Sequence, residues 1–347
     1  MHIVHAIFSF ETGGAENLLI DIVNEQAEKA PVSLVIVNKR YTQGLLDRVS
    51  GKVNVYRIDR KEGDRRNPLP ILRLWSLLFR ISPGVIHCHD HGLVNLLPFW
   101  RAKTAITVHD VGIPTDNIGK FNQVFAISMA VQEDLLQRGN VPSTLVPNGI
   151  NFPRFGRRTR YAGGAGLKMI QISRLVHEKK GQHLAIRAVH QLVIEYGYSA
   201  PKLFLVGEGP SLTYLQELTR ELGVEEFVVF MGVQDRQWIM QHLQEFDLLL
   251  QPSLFEGFGL TVLEGIAAGL PVIASAIDGP AEILKDIPSG FLFDVRKECA
   301  LTTAIMRVAS LYEKGQIARL CQDSVTLAER QYSIGNTAAR YHTLYSK

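Results

Sequence analysis

The sequence is poor in cysteine, nearly balanced in charge and without a long uncharged apolar run. Cys88, Cys299 and Cys321 are its only cysteines and stand far apart, so they build neither a disulfide framework nor a zinc ribbon. Lys and Arg number 37 against 34 Asp and Glu; a net charge of +3 is too small to mark a nucleic-acid binder, and no such partner is expected. No segment approaches the roughly 18 consecutive apolar residues that span a bilayer. The opening MHIVHAIFSFETGGAE lacks the basic region and small-residue cleavage site of a secretory signal, so a cytoplasmic setting is the expectation. A Walker A sequence is also missing, which disfavours a P-loop nucleotidase.

What is present is alternation. Short apolar runs (HIVHAIF, VSLVIV, VNVYRI, VIHCH, TAITVH, QVFAIS, STLVP) are separated by helical patterns such as AENLLIDIVNEQAEK and PLPILRLWSLLFR. Such a pattern predicts parallel α/β units. An Arg- and Gly-rich stretch without apolar periodicity follows, and then the alternation restarts with LKMIQIS, KLFLVG, VVFMG, DLLLQPS and PVIAS before a long helical tail. A helix is expected over about 182–196, another over 211–222 and a third from about Leu260. The 347 residues therefore divide into two Rossmann-like domains, 1–152 and 168–330, joined by a linker over 153–167. A final helix, 331–347, is expected to cross back to the first domain. The fold class is α/β, with the two domains facing a central cleft.

The chemistry is expected in glycine loops after strands, where α/β sheets bind ligands. Gly13 and Gly14, in Thr12-Gly13-Gly14-Ala15-Glu16, let a backbone approach a ligand and open a helix whose N-terminus favours an anion. A tight turn demanded by the fold explains them equally well. Gly207-Glu208-Gly209-Pro210 resembles a dinucleotide fingerprint but has Leu212 where the third glycine belongs, which disfavours an NAD site. In SRLVHEKKG, Arg174 and Lys180 could grip two phosphates, or belong to a solvated basic loop. In SLFEGFGLTVLEG, Glu256 lies in a loop and Glu264 on the following helix, with Gly257, Phe258, Gly259 and Leu260 between. Paired glutamates alone could mean glycoside hydrolysis; beside phosphate-cradling loops they favour a nucleotide-sugar.

The stretch from Ser253 to Leu284 resembles the donor-site motif of family 4 retaining glycosyltransferases with the GT-B fold, and GGAE, TVHD, VPNGI, SRLVHEKKG, VGEGP and FMG agree in order along nearly the whole chain. The resemblance implies that Arg174 and Lys180 bind the donor diphosphate and stabilise its departure. Lys179 is adjacent; Lys180, directly before Gly181, is the one aligned. It implies that Glu264 holds the ribose, and that Glu256 faces donor-sugar hydroxyls beside main-chain groups of Gly257, Phe258, Gly259 and Leu260. Gly13, Gly14 and Gly207 join the donor side, and His109, in TVHD, lies near the reacting centre. His109, Arg174, Lys180 and Glu256 are the catalytic set so implied.

The His87-Cys88-His89-Asp90-His91 run could suggest a metal, but a related hydrolase pattern has one more residue between its second His and the Asp. Strand alternation would place His87, His89 and His91 on one face. In the resembling family this segment lines the acceptor side, so Glu16, His89, Asp90 and His91 are acceptor candidates, and no metal is expected. The activity implied is transfer of a hexosyl group with retention, from a UDP-sugar rather than a GDP-sugar, to a saccharide or lipid-linked acceptor in bacterial envelope polysaccharide synthesis. With no nameable nucleophile, a front-side mechanism is expected. A nucleotide-sugar epimerase and a scaffold that has lost activity are the competing readings. Finally, residues 57–80 hold Arg57, Arg60, Lys61, Arg65, Arg66, Arg73 and Arg80 against Asp59, Glu62 and Asp64, a surplus larger than that of the entire chain. A basic loop beside an apolar helix can lie on an anionic membrane at the inner face of the cell envelope. More often such a helix covers a sheet, and its apolar run is read here as core.

Overall fold

The structure is a computed structural model that describes residues 1–11, 13–63, 67–97, 102–162 and 166–346. It contains two compact units, Met1–Ile150 with Tyr332–Lys347, and Asn151–Gln331.

Unit 1 is built on a parallel sheet of β1 (Ile3–Ile7), β2 (Val32–Asn38), β3 (Val53–Arg60), β4 (Val85–Cys88), β5 (Lys103–Val108), β6 (Gln123–Ala126) and β7 (Thr144–Leu145). Their order is β3-β2-β1-β4-β5-β6-β7. β1, β2 and β4 are buried along their whole length, as strands covered on both faces must be, which is why they read as unbroken apolar runs. Four polar residues interrupt those runs and are buried with them: His5 in β1, Ser33 and Asn38 in β2, and His87 in β4. The C-terminal helix Ile334–Tyr345, capped by Ser333, packs within this unit beside the helix Gly14–Ala27. Its Tyr345 hydroxyl meets His87 Nδ1 at 2.5 Å, and its Tyr341 hydroxyl meets Thr107 Oγ1 at 2.9 Å.

Unit 2 repeats the plan with β8 (Lys168–Ile172), β9 (Lys202–Val206), β10 (Val228–Gly232), β11 (Leu248–Gln251), β12 (Val272–Ser275) and β13 (Gly290–Phe293), ordered β10-β9-β8-β11-β12-β13 and parallel throughout. Leu203, Leu205, Leu248, Leu250 and Ile273 form the centre of its core. The expected helix over 182–196 is an α-helix to His190 that continues as a π-helical turn over Gln191–Glu195. β13 follows a short helix, Asp278–Leu284, that interrupts the expected tail; the rest of the tail divides into helices Ala300–Glu313, Ile317–Tyr332 and Ile334–Tyr345.

Two expectations change. The linker over 153–167 is, in its described part, packed chain of unit 2. Phe155 is buried, and Arg158 forms a 2.5 Å ion pair with Asp247 while also donating to the Phe246 carbonyl. Both partners of that pair are nearly buried, so the segment is anchored, and removing one partner would leave a charge costing about 3–5 kcal/mol. Gly163, Gly164 and Ala165 lie outside the described residues. The helix Leu69–Ile81 is core on one face only: Leu74, Leu77 and Leu78 are buried, whereas Leu69, Leu72, Trp75 and Phe79 are 57, 51, 41 and 71% exposed. Asp64, Arg65 and Arg66 of the basic loop also lie outside the described residues.

Candidate functional site

The strand order of unit 2 sets β8 beside β11, and the chain continues from these two toward opposite edges of the sheet. Ligands of open α/β sheets bind at such a switch point, at the carboxyl ends of the strands. The loop and short helix His177–Lys180 after β8 supply Arg174 and Lys180; the loop after β11 supplies Glu256. Lys180 Nζ meets Glu256 Oε2 at 2.6 Å, with both side chains about four-fifths buried. The contact is charge-assisted and joins residues 76 apart in sequence.

Three buried glutamines hold these loops in register. Gln251 donates to Glu256 Oε2 at 3.0 Å and to Ser253 Oγ at 3.1 Å. Gln171 donates to the Lys180 carbonyl at 2.7 Å, and Gln182 to the Arg174 carbonyl and Ser173 Oγ, both at 2.9 Å. The Leu254 amide donates to the Lys179 carbonyl at 2.8 Å. The Arg174 side chain is exposed and has no carboxylate partner among the described residues.

Glycines allow the loops to approach. Gly181 has φ +66°, and a Cβ there would fall 1.9 Å from the Pro252 carbonyl oxygen. Gly207 has φ +134°, with a Cβ position 2.1 Å from the Ser173 carbonyl oxygen. Gly207 is thus pressed against the backbone that carries Arg174, and its lack of a side chain serves that packing. Gly257, Phe258 and Gly259 are buried, and the helix Leu260–Ala267 begins directly after them. The Phe258 ring is core, 4% exposed. Glu264 stands one turn into that helix, partly buried.

In unit 1 the corresponding switch point lies between β1 and β4. Gly13 and Gly14 open the helix Gly14–Ala27, and Glu16 stands in its first turn. Burial raises the pKa of Glu16, and the neighbouring carboxylates of Asp90 and Glu11 push it further the same way. Asp90 accepts a hydrogen bond from the Phe8 amide at 2.7 Å; burial raises its pKa against the pull of that bond. His89 and His109 meet through Nδ1 and Nε2 at 3.2 Å, and His89 Nε2 meets His5 Nδ1 at 3.1 Å. The chain of rings ends at Gln26, whose Oε1 lies 2.7 Å from His5 Nε2. Burial lowers the pKa of His5 and His109 to about 4 and holds His87 and His89 well below the usual imidazole value.

His91 departs from the expected face. β4 ends at Cys88, and His91 opens a 3₁₀ helix, His91–Leu96; the third ring of the buried cluster is His5. Ring nitrogens of His5, His87 and His89 lie within 4.8 Å of one another, near enough to raise a metal site again. The rings stack, with centroids 4.8–5.4 Å apart and interplanar angles of 20–35°. Lone pairs lie in ring planes, so stacked imidazoles do not converge on one ion as tetrahedral ligands do. Both nitrogens of His5, His87 and His89 already meet protein partners. The donor set does not fit a metal.

Sequence reasoning missed His5, Gln26, Gln171, Gln182 and Gln251. For His5, Gln171 and Gln251 the signal was a polar residue inside an otherwise apolar strand run, as in HIVHAIF, KMIQIS and DLLLQPS; Gln26 and Gln182 lie in helices and carry no such signal.

Two family models match this chain: Glycosyltransferase Family 4 over residues 12–154 and Glycosyl transferases group 1 over residues 164–318. An uncharacterized glycosyltransferase of Methanocaldococcus jannaschii is 28% identical over 65% of this chain and 66% of its own. A GDP-mannose-dependent alpha-(1-6)-phosphatidylinositol monomannoside mannosyltransferase of Mycolicibacterium smegmatis is 33% identical over 46% of this chain and 45% of its own. The chain thus spans two thirds or less of these relatives' length. Among solved structures, Anabaena HepE in complex with UDP and glucose superposes over all of both chains with a TM-score of 0.79 at 21% identity. With family matches across both units and that superposition, the chain belongs to the family 4, group 1 glycosyltransferases and has the GT-B fold.

Proposed function

We propose that this protein transfers a hexosyl group, with retention of configuration, from a UDP-sugar to a saccharide or lipid-linked acceptor in envelope polysaccharide synthesis. The observation that carries the reading is the Lys180–Glu256 contact at the unit 2 switch point, with Arg174 on the same segment after β8 as Lys180. Cations there would meet the charge that grows on the departing diphosphate, where fixed charges lower a barrier most. Glu256 and the main chain from Gly257 to Leu260 would receive hydroxyls of the donor sugar, and Glu264 the ribose. By the family resemblance, Gly13 and Gly14 would serve the donor, His109 the sugar, and Glu16, His89, Asp90 and His91 the acceptor. The bond between the anomeric carbon and the diphosphate oxygen breaks, and one to the acceptor oxygen forms on the same face. The acceptor hydroxyl proton passes to the leaving diphosphate. No resident metal is needed, because Arg174 and Lys180 supply the positive charge.

UDP complexes of the structural neighbour support a uridine donor, although the mycobacterial relative is named for GDP-mannose. That relative's lipid-linked acceptor supports a lipid-linked acceptor here. No helix among the described residues is long and apolar enough to cross a membrane, so contact with a lipid would come through a surface. The exposed face of the helix Leu69–Ile81, with Arg73 and Arg80, is that surface in this reading, at the inner face of the membrane.

Thermal shifts with UDP-, GDP- and ADP-sugars, followed by donor hydrolysis, test the donor. A UDP-sugar is expected to stabilise the protein; stabilisation by GDP-sugars alone would overturn the uridine assignment. Lys180→Ala should cost about 10²-fold in turnover, as loss of a transition-state charge partner does, read well below a melting temperature that should itself fall because Glu256 is left without its cation. Unchanged turnover would remove Lys180 from the site.

A further inference from the structure

Outside the donor loops, the strongest cluster of chemistry in the molecule is the row of imidazoles behind His109, and its hydrogen bonds have a direction. Gln26 Oε1 can only accept, so His5 Nε2, 2.7 Å away, carries the proton. His5 is 0% exposed and neutral, which leaves its Nδ1 as a bare lone pair. His89 Nε2, 3.1 Å from that lone pair, must then be the donor, and its Nδ1 becomes the acceptor. His109 Nε2 lies 3.2 Å from His89 Nδ1 and donates in turn. Each ring fixes the tautomer of the next. His109 ends the row with its Nδ1 unprotonated, and that atom has no hydrogen-bond partner among the described residues.

We propose that Gln26, His5 and His89 are positioning residues that lock His109 in its Nε2–H tautomer, so that it offers a bare Nδ1 to a hydroxyl of the bound sugar. This rests on the reading above that His109 faces the donor sugar. The row is a lock and not a proton wire. A proton taken up at His109 Nδ1 and passed along would stop on His5, because an amide oxygen is a poor proton acceptor, and would leave a cation in a fully buried site. A neutral lone pair held in place suits a hydroxyl donor and is wrong for an anionic phosphate. The row thus selects the sugar rather than the diphosphate as the partner of His109. His87, packed between His5 and the tyrosines of the C-terminal helix, which it meets edge-on, stands in a separate chain, Tyr345–His87–Thr107–Tyr341, which keeps it out of the row.

Long-range ¹⁵N–¹H spectra of histidine-labelled full-length protein read the tautomers directly, with ring signals assigned by single His→Gln variants. The expected result at neutral pH is an Nε2–H pattern at His5, His89 and His109. Gln26→Glu keeps an acceptor and should keep that pattern; Gln26→Leu removes it and should leave His109 in a mixture of tautomers. An Nδ1–H pattern at His109 in the native protein, or a His109 signal indifferent to Gln26→Leu, overturns the proposal. A UDP titration of the same native sample separates this from the functional reading. Failure to bind UDP with the Nε2–H pattern intact would count against the transferase site while upholding the lock.

Discussion

At the scale of single residues, the most informative contact is the one between two groups expected to face a ligand and found facing each other. Lys180 and Glu256 neutralise one another at 2.6 Å in a partly buried site, with Gln251 fixing the carboxylate. If this is the proposed donor site, a diphosphate entering it must share the ammonium with that carboxylate, so part of its binding energy is spent on the competition. Replacing the carboxylate by an amide of the same shape keeps the hydrogen bond and removes the competing charge. Glu256→Gln should therefore bind UDP about fivefold more tightly by calorimetry, corresponding to the ~1 kcal/mol of a partly exposed pair. Turnover should fall in the same variant, because the sugar loses its acceptor. Weaker UDP binding would show that Glu256 holds Lys180 in its working position and does not compete for it.

At the scale of elements, parallel strands covered on both faces announce themselves as apolar runs, and β1, β2, β4, β8 and β11 were legible for that reason. β13 was not: its four residues alternate in burial and follow a short helix, a pattern no run of hydrophobicity reveals. The residue types of the candidate loops were legible because loops after strands carry them. Their pairing was not, since neither the 76-residue separation of Lys180 and Glu256 nor the 84-residue separation of His5 and His89 leaves a local pattern. The helix Leu69–Ile81 shows the same limit, because an apolar helix reads alike whether both faces are covered or one is bare. Its exposed face presents Leu69, Leu72 and Phe79 beside Arg73 and Arg80, the combination that enters an anionic interface. In flotation with vesicles of phosphatidylcholine and phosphatidylglycerol, the protein should rise with the anionic vesicles and stay down with neutral ones. Leu72→Glu with Phe79→Glu should abolish the difference without affecting the fold, since both side chains are exposed. Equal flotation with both lipids would exclude an electrostatic surface.

For the whole molecule, the two units differ in how they should answer acid. Unit 1 carries His5, His87, His89 and His109, each with a pKa held below the ordinary imidazole value by burial. A histidine whose folded pKa is depressed stays neutral while the unfolded chain takes up a proton. Its stabilising contribution is therefore present above pH ~6.5 and is lost progressively as pH falls toward the folded value. For His5, with a folded pKa of about 4, the slope over that window is about 1.4 kcal/mol per pH unit. Glu16 and Asp90, whose pKa values are raised by burial, act in the opposite sense, but the four histidines outnumber them. In unit 2 burial lowers the imidazole pKa of His183, which is only about half-buried. Calorimetry from pH 7.5 to 5.5 should therefore show the melting transition broaden and then split. Hydrogen exchange, corrected for intrinsic rates, should assign the earlier step to peptides from β1 and β4. If β8 and β11 lose protection first, or the transition stays single and unshifted, the buried histidines do not set the acid limit of this fold.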